Sequence, residues 1–183
     1  MVTGRLQLTE RNLILTGYIE PNKPRIGLQV AEKLHLPFVD VEQRLADRIR
    51  AIGNDVSRDD LSERHLKAIE SEIMGEIILH RNTVLRVNGS SLVHSEHYER
   101  LRTTGPIICL VARLDAILQR IHLTLGARYH NPSERGVELG LLRREWAIRK
   151  KPHIFELDVT YHDEATMIQA IIDFWKKVSV ERT

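Results

Sequence analysis

The segment 17–24 reads Gly-Tyr-Ile-Glu-Pro-Asn-Lys-Pro, and it lies between a short apolar run and a helical pattern. A phosphate-binding P-loop, G-x-x-x-x-G-K-[ST], occupies the same place between a strand and a helix, where backbone N–H groups point at phosphate. Gly17 and Lys23 have the spacing of that motif. Asn22 stands at its second glycine and Pro24 at its Ser or Thr.

These replacements change the chemistry of the segment. Pro24 has neither a backbone N–H nor a hydroxyl, Pro21 removes a further N–H, and Glu20 adds a negative charge. Two interpretations stay open. The segment is either a plain strand-to-helix turn or a weakened anion site in which Lys23 and Arg25 supply positive charge.

The length and composition of the chain indicate one folded domain over residues 1–183. The chain has 42% hydrophobic and 28% charged residues and a net charge of +2. Lacking a long basic block, it is not expected to bind nucleic acid. It also lacks an apolar stretch of ~18 residues, so we expect no membrane span and a cytoplasmic location. Cys109 lies in an apolar run and is expected to be buried.

Strand and helix patterns alternate along the chain. Buried strands are predicted at 13–16, 37–40, 83–87, 107–111 and 154–159. Helices are predicted at 26–34, 41–52, 62–80, 95–103, 114–125, 137–149 and 164–178. Polar breaks are expected at 53–60 and 126–136, the second as a mobile loop. This alternation predicts a three-layer α/β/α fold around a parallel sheet of about five strands.

Polar residues follow three of the predicted strands or lie on the helix between them. Asp40 and Glu42 could bind a metal and a substrate hydroxyl, or they could simply begin a helix. Lys67 and Glu70 are three residues apart on one helical face, as a surface ion pair or a substrate clamp. The turn Asn88-Gly89-Ser90 could contact a ligand closely or be structural only. The histidines show no spacing typical of a zinc site.

Taken together, these positions resemble the shikimate kinase family over about residues 12–178. The most specific stretch is Leu-His-Leu-Pro-Phe-Val-Asp at 34–40, followed by Glu42, which is similar to the family's L-G-x-P-F-x-D-x-D segment. The resemblance implies that Asp40 serves the metal and the attacking hydroxyl, and that Glu42 binds substrate hydroxyls. It also implies a P-loop NTPase-like fold.

The substrate-binding motifs of the family are present in altered form. The segment 62–70 is similar to G-E-x-x-F-R-x-x-E, with Lys67 at the arginine and Glu70 retained. Asn88-Gly89-Ser90 stands at the family's triple glycine, and Arg128 at the lid arginine. A further substrate arginine falls at Arg144 or Glu145, and the alignment leaves both open.

The resemblance implies ATP and Mg²⁺ as cofactors if the chain is active. The residues expected at the nucleotide are Gly17, Asn22, Lys23, Arg25 and Arg128. The residues expected to carry catalysis are Lys23, Asp40 and Arg128, with Asp40 at the metal.

Every phosphate or substrate motif carries a disruptive replacement, so a pseudokinase that binds a small hydroxy acid, another anion or a protein partner is predicted. An active kinase for shikimate or a related polyhydroxy acid is the alternative. In either case we expect Asp40, Glu42, Lys67 and Arg128 to converge on one pocket.

Overall fold

A computed structural model of the chain describes residues 11–17, 25–53, 55–93 and 95–180. Five strands form one parallel sheet in the order β2-β3-β1-β4-β5. The strands are β1 (Leu13–Thr16), β2 (Phe38–Asp40), β3 (Val84–Arg86), β4 (Ile107–Val111) and β5 (Phe155–Asp158). The predicted five-stranded parallel sheet is therefore confirmed.

Helices cover both faces of this sheet. They are α1 (Arg25–Leu34), α2 (Val41–Ile52), α3 (Glu63–Ile77), α4 (Gly89–Leu92), α5 (Ser95–Arg102), α6 (Leu114–Leu125), α7 (Pro132–Trp146) and α8 (Glu164–Val180). Strand side chains alternate between two cores: Ile14 packs with α2 and α3, whereas Leu13 and Leu15 pack with α1 and α8. None of the described helices has the length and apolar content needed to span a bilayer.

The start of α7 and the presence of α4 are two differences from the sequence prediction. The segment 126–136, expected to be a mobile loop, is a 3-10 turn at Gly126–His130 followed by the first turn of α7. The helix begins at Pro132 because Asn131 caps it by accepting from the N–H of Ser133 at 3.0 Å. The short helix α4 directly follows β3, where only a turn was expected.

The amino ends of three neighbouring strands are joined by the fully buried Asn12. Its Nδ2 donates to the carbonyl of His80 at 2.8 Å and to the hydroxyl of Thr104 at 3.1 Å. Its Oδ1 accepts from the N–H of Thr83 at 3.1 Å. The amide of Asn12, directly before β1, therefore satisfies groups that precede β3 and β4, which fixes the sheet from the end opposite to the polar edge.

Replacing Asn12 by alanine should lower the free energy of unfolding by roughly 2–4 kcal/mol, because a buried N–H, a carbonyl and a hydroxyl lose their partner. Urea unfolding followed by circular dichroism measures this. Gln43→Ala is the control, since the Gln43 side chain is exposed and bonds only Asp47. Equal stability of the two variants would contradict the structural role of Asn12.

Candidate functional site

The carboxyl ends of β2 and β3 bring Asp40 and Arg86 together. These two residues are direct neighbours in the register of the parallel strands. Asp40 is the last residue of β2 and the N-cap of α2. Its Oδ1 accepts from the backbone N–H groups of Glu42 at 2.9 Å and Gln43 at 3.3 Å. The start of α2 therefore depends on this carboxylate.

The second oxygen of Asp40 is engaged by a guanidinium. Arg86 donates from Nη1 to Oδ2 of Asp40 at 2.9 Å. The two side chains are only 20% and 6% exposed, respectively. A buried carboxylate needs a compensating charge, and Arg86 supplies it from the adjacent strand. Both oxygens of Asp40 are thus in use within the protein.

Glu42, in the first turn of α2, connects three parts of the site. One of its carboxylate oxygens accepts from the guanidinium of Arg58, and the other accepts from the side-chain amide of Asn88. Arg58 belongs to a 3-10 turn at Arg58–Asp60, and Asn88 caps α4 after β3. The carboxylate is therefore held from both sides at the polar edge of the sheet.

The turn after β3 is occupied by Glu145 from the last turn of α7. An oxygen of this side chain accepts from the backbone N–H of Gly89 at 2.6 Å, and the other lies 3.4 Å from the hydroxyl of Ser90. A Cβ atom at Gly89 would come within 2.1 Å of the Glu145 carbonyl oxygen, so only glycine fits there. The backbone donors of the turn thus bind a carboxylate of the chain itself.

Burial of the Glu145 side chain shifts the pKa of its carboxyl group. Desolvation raises the pKa of its carboxyl above the usual value. The hydrogen bonds from Gly89 and Ser90 and the charge of Arg86 act in the opposite direction without cancelling this effect. The surroundings of Glu145 therefore disfavour its ionised form, although Gly89, Ser90 and Arg86 partly stabilise that form.

The predicted nucleotide residues are only partly described. Asn22 and Lys23 lie outside the described residues. Gly17 has a φ of 100°, and a Cβ atom there would lie 2.4 Å from the carbonyl oxygen of Leu110, so glycine is required. Arg25, the first residue of α1, pairs with Glu164 of α8 at 3.3 Å. The guanidinium of Arg25 therefore forms its ion pair with the neighbouring helix.

Three predicted substrate or lid residues lie outside the contact network of the polar edge. Lys67 pairs with Glu63 at 2.9 Å along the exposed side of α3. Arg128 pairs with Glu134 at 3.5 Å, and its side chain is 66% exposed. Arg144 is exposed as well.

The contacts at this edge join Asp40, Glu42, Asn88, Gly89 and Ser90. The last turn of α7 directs Glu145, and not the exposed Arg144, towards α4 and the backbone N–H of Gly89. Which of the two stands at the family's substrate arginine stays open, and the convergence of Asp40, Glu42, Lys67 and Arg128 on one pocket stays a prediction. A substrate role for Lys67, for Arg128 and for the half-buried Glu70 of α3 stays a prediction.

Sequence reasoning missed Arg86 and Arg58. Arg86 did carry a signal, because it is a charged residue inside an otherwise apolar strand and a buried charge requires a partner. The identity of that partner depends on β2 lying next to β3, which no local pattern gives. Arg58 lies in a polar stretch without periodicity, and nothing in its neighbourhood indicated a contact with Glu42.

The contacts that Asp40 makes in this structure do not suit the binding of a divalent metal ion. Mg²⁺ binds through oxygen ligands, and both oxygens of Asp40 already accept hydrogen bonds. The guanidinium of Arg86 also places a fixed positive charge beside Oδ2 of Asp40. Among the described residues, no group of three or more His, Cys, Asp or Glu side chains could hold a metal ion.

A cavity of about 300 Å³ opens beside this network. Its apolar part is formed by Leu45, Ile49 and Val56, and its charged rim includes Glu42 and Arg58. The size suits a small molecule, and the mixed lining suits one with both an apolar and a polar side.

The chain is similar to known proteins over most of its length. The profile of the family described as shikimate kinase matches residues 22–175. The chain is 30% identical over 134 residues to a shikimate kinase of Thermodesulfovibrio yellowstonii, covering 70% of this chain and 76% of the relative. It is 31% identical over 144 residues to a shikimate kinase of Thermus thermophilus, covering 76% and 77%.

Solved structures show the same fold. The shikimate kinase from Acinetobacter baumannii in complex with shikimate is similar with a TM-score of 0.68 and 19% identity, covering 93% of this chain and 96% of that one. At this identity the similarity concerns the fold alone.

Glu145→Gln should change the pH dependence of stability. The folded-state pKa of Glu145 is raised, so its contribution to stability is fully present below the pKa of the unfolded chain and is lost as pH rises through the folded pKa. Between pH 4 and pH 8, the free energy of unfolding measured with denaturant should fall for wild type relative to that of the variant. Glu96→Gln, at an exposed position of α5, should follow wild type. Parallel profiles for wild type and Glu145→Gln would contradict the assigned cause.

Proposed function

The chain belongs to the shikimate kinase family, and we propose that it is a member without phosphate transfer that acts by binding a small molecule or a partner protein. Shikimate kinases normally use ATP and Mg²⁺. The proposal therefore depends on whether the groups that serve nucleotide, metal and substrate are free to do so.

The ion pair between Arg86 and Asp40 carries this proposal. The family resemblance gives Asp40 the place beside the metal and the attacking hydroxyl. In this chain Arg86 lies 2.9 Å from its Oδ2, and the N-cap bonds use Oδ1. A metal or an activated hydroxyl at Asp40 would have to displace a largely buried guanidinium, which costs far more than binding to an exposed carboxylate.

The sequence of the loop supports the same conclusion. Pro21 and Pro24 lack backbone N–H donors, and Pro24 replaces the hydroxyl that holds Mg²⁺ in a P-loop. Phosphate transfer depends almost wholly on positioning and charge stabilisation. The loss of these donors should cost several kcal/mol of transition-state stabilisation, or on the order of 10³-fold in rate.

The substrate side is altered as well. Glu145 uses the N–H of Gly89 and approaches the hydroxyl of Ser90, so a second carboxylate would meet occupied donors and another carboxyl group. Lys67 cannot form the planar bidentate contact that an arginine makes with a carboxylate. An anionic hydroxy acid is therefore disfavoured as a substrate in this arrangement.

One observation favours the alternative of an active kinase. Lys23 keeps the motif spacing, and Glu42 with Asn88 keeps hydrogen-bonding groups at the sheet edge, as a substrate with several hydroxyls requires. This alternative predicts ATP turnover that depends on shikimate or a related polyhydroxy acid, which the first experiment measures.

Binding of ATP with Mg²⁺ should be weaker than millimolar, because the loop lacks donors and Asp40 is already paired. At a concentration equal to its dissociation constant a ligand stabilises a protein by only about 0.4 kcal/mol, so ~1 mM ATP should give no clear rise in melting temperature. Differential scanning fluorimetry and calorimetry, with and without shikimate, measure this. The Thermus thermophilus relative is the positive control. Micromolar binding, or shikimate-dependent ADP release, would replace the proposal by the kinase alternative.

Repair of the loop should restore nucleotide binding in steps. Residues 20–25 are replaced so that they read Gly-Ser-Gly-Lys-Ser-Thr, which returns the glycines, the backbone donors and the hydroxyl. Calorimetry should then detect ATP, and adding Arg86→Gln should increase the Mg²⁺-dependent part, because Gln keeps a donor to Asp40 and removes the positive charge. Lys23→Ala in the repaired loop should abolish binding. If Arg86→Gln changes nothing in a folded, repaired protein, the ion pair is not the obstacle we propose.

A further inference from the structure

A small recess lies at the amino ends of β1 and β4, at the end of the sheet opposite to the polar edge. Its volume is about 170 Å³, and it is lined by Arg11, Arg102, Thr103 and Gly105. With roughly 30 Å³ for each water molecule, the recess has room for a small ion with a few oxygen atoms. No acidic side chain is among the lining residues that the structure describes.

Backbone contacts fix the two sides of the recess against each other. The N–H of Asn12 donates to the carbonyl of Thr104 at 3.0 Å, and the side chain of Asn12 donates to the hydroxyl of the same threonine. A Cβ atom at Gly105 would lie 2.0 Å from the carbonyl oxygen of Asn12, so only glycine allows this approach. Arg11 is therefore positioned by the backbone next to the turn that follows α5.

The recess carries positive charge that the surrounding protein does not fully compensate. Arg11 is half-buried, and within the described ranges its guanidinium has no hydrogen-bond or ion-pair partner. Arg102 donates to Glu99 from Nε at 3.2 Å and from Nη2 at 2.8 Å, and neither bond uses Nη1. A guanidinium that is withdrawn from water needs a compensating charge or an acceptor. Two guanidiniums at one recess, one of them unpaired, therefore favour an anion.

A backbone donor at the same recess is also without an acceptor. Gly105 is buried, and no hydrogen bond among the residues that the structure describes uses its N–H. Buried backbone N–H groups are almost always paired with protein, water or a ligand. This observation is independent of the two arginines, and it indicates an acceptor atom in the recess.

We propose that this recess binds a phosphate group, as the free ion or as the monoester of a small molecule. Arginine forms paired, charge-assisted hydrogen bonds to phosphate oxygens, and the N–H of Gly105 adds a further donor. Donors from three parts of the chain suit a tetrahedral dianion better than a planar carboxylate, which a single guanidinium can satisfy. Because the recess lies at the amino ends of the strands, the proposal does not depend on whether the chain transfers phosphate.

Nuclear magnetic resonance of the isotope-labelled protein gives a readout at the recess itself. Sodium phosphate is titrated from about 0.1 to 20 mM, which brackets millimolar affinity, at an ionic strength held constant with sodium chloride. The amide signal of Gly105 should shift and saturate. Arg11→Ala should weaken binding about tenfold or more, and Arg11→Lys should weaken it less, because lysine keeps the charge and loses the planar fork. Arg100→Ala is the charge-matched control, since Arg100 is exposed on α5 outside the recess, and it should bind like wild type.

Melting temperatures separate a role in ligand binding from a role in the fold. In phosphate-free buffer Arg11→Ala should melt at the temperature of wild type or above it, because one of two neighbouring positive charges is removed. Phosphate should then raise the melting temperature of wild type and of Arg100→Ala but not that of Arg11→Ala. A marked loss of stability in phosphate-free Arg11→Ala would contradict the absence of a protein partner for Arg11.

Two phosphate probes distinguish the sources of the group. Tighter binding of glycerol 3-phosphate than of inorganic phosphate assigns an esterified ligand, and the reverse order or equal affinity assigns the free ion. Sodium acetate should bind about tenfold more weakly than either, and equal affinity for acetate overturns the assignment of a phosphate. A Gly105 amide without a saturable shift, or an Arg11→Ala variant that binds phosphate like wild type, overturns the site.

Discussion

The ion pair between Asp40 and Arg86 determines the polar edge of this protein. It joins neighbouring strands at their carboxyl ends and leaves one oxygen of Asp40 to begin α2. The first turn of that helix then brings Glu42 to Asn88. Removing one partner of a buried pair costs roughly 3–5 kcal/mol, because the remaining charge loses its compensation. The pair is therefore a contact on which the stability of this edge of the fold depends.

The helix α7 connects this edge with the outer surface. Its last turn directs Glu145 to the N–H of Gly89, while its middle exposes two glycines and two apolar side chains. The inner contact engages the backbone donors of the turn after β3 with a carboxylate of the chain itself. The family resemblance places a substrate at this turn, so the same contact supports the proposal that the chain does not transfer phosphate.

The local sequence was sufficient for the layers of the fold. The apolar runs predicted all five strands to within one residue at each end. The central strands β1 and β4 gave the clearest signal, because a parallel strand buried on both faces is mainly apolar. The absence of donors at Pro21 and Pro24 follows from the residue types themselves. The family resemblance was confirmed by the match over residues 22–175. The start of α7 was missed, since Asn131 and Pro132 begin a helix before its apolar spacing is visible.

Only the tertiary structure determined which charged side chains form contacts with each other. The strand order places β3 beside β2, so Arg86 pairs with Asp40 across 46 residues of sequence. The packing of α7 on α4 brings Glu145, and not Arg144, to the N–H of Gly89, since neighbouring residues differ by about 100° around the helix. Residue types determine which charges a chain carries. Coulombic and hydrogen-bond interactions act over a few ångströms, so the choice of partners belongs to the folded chain.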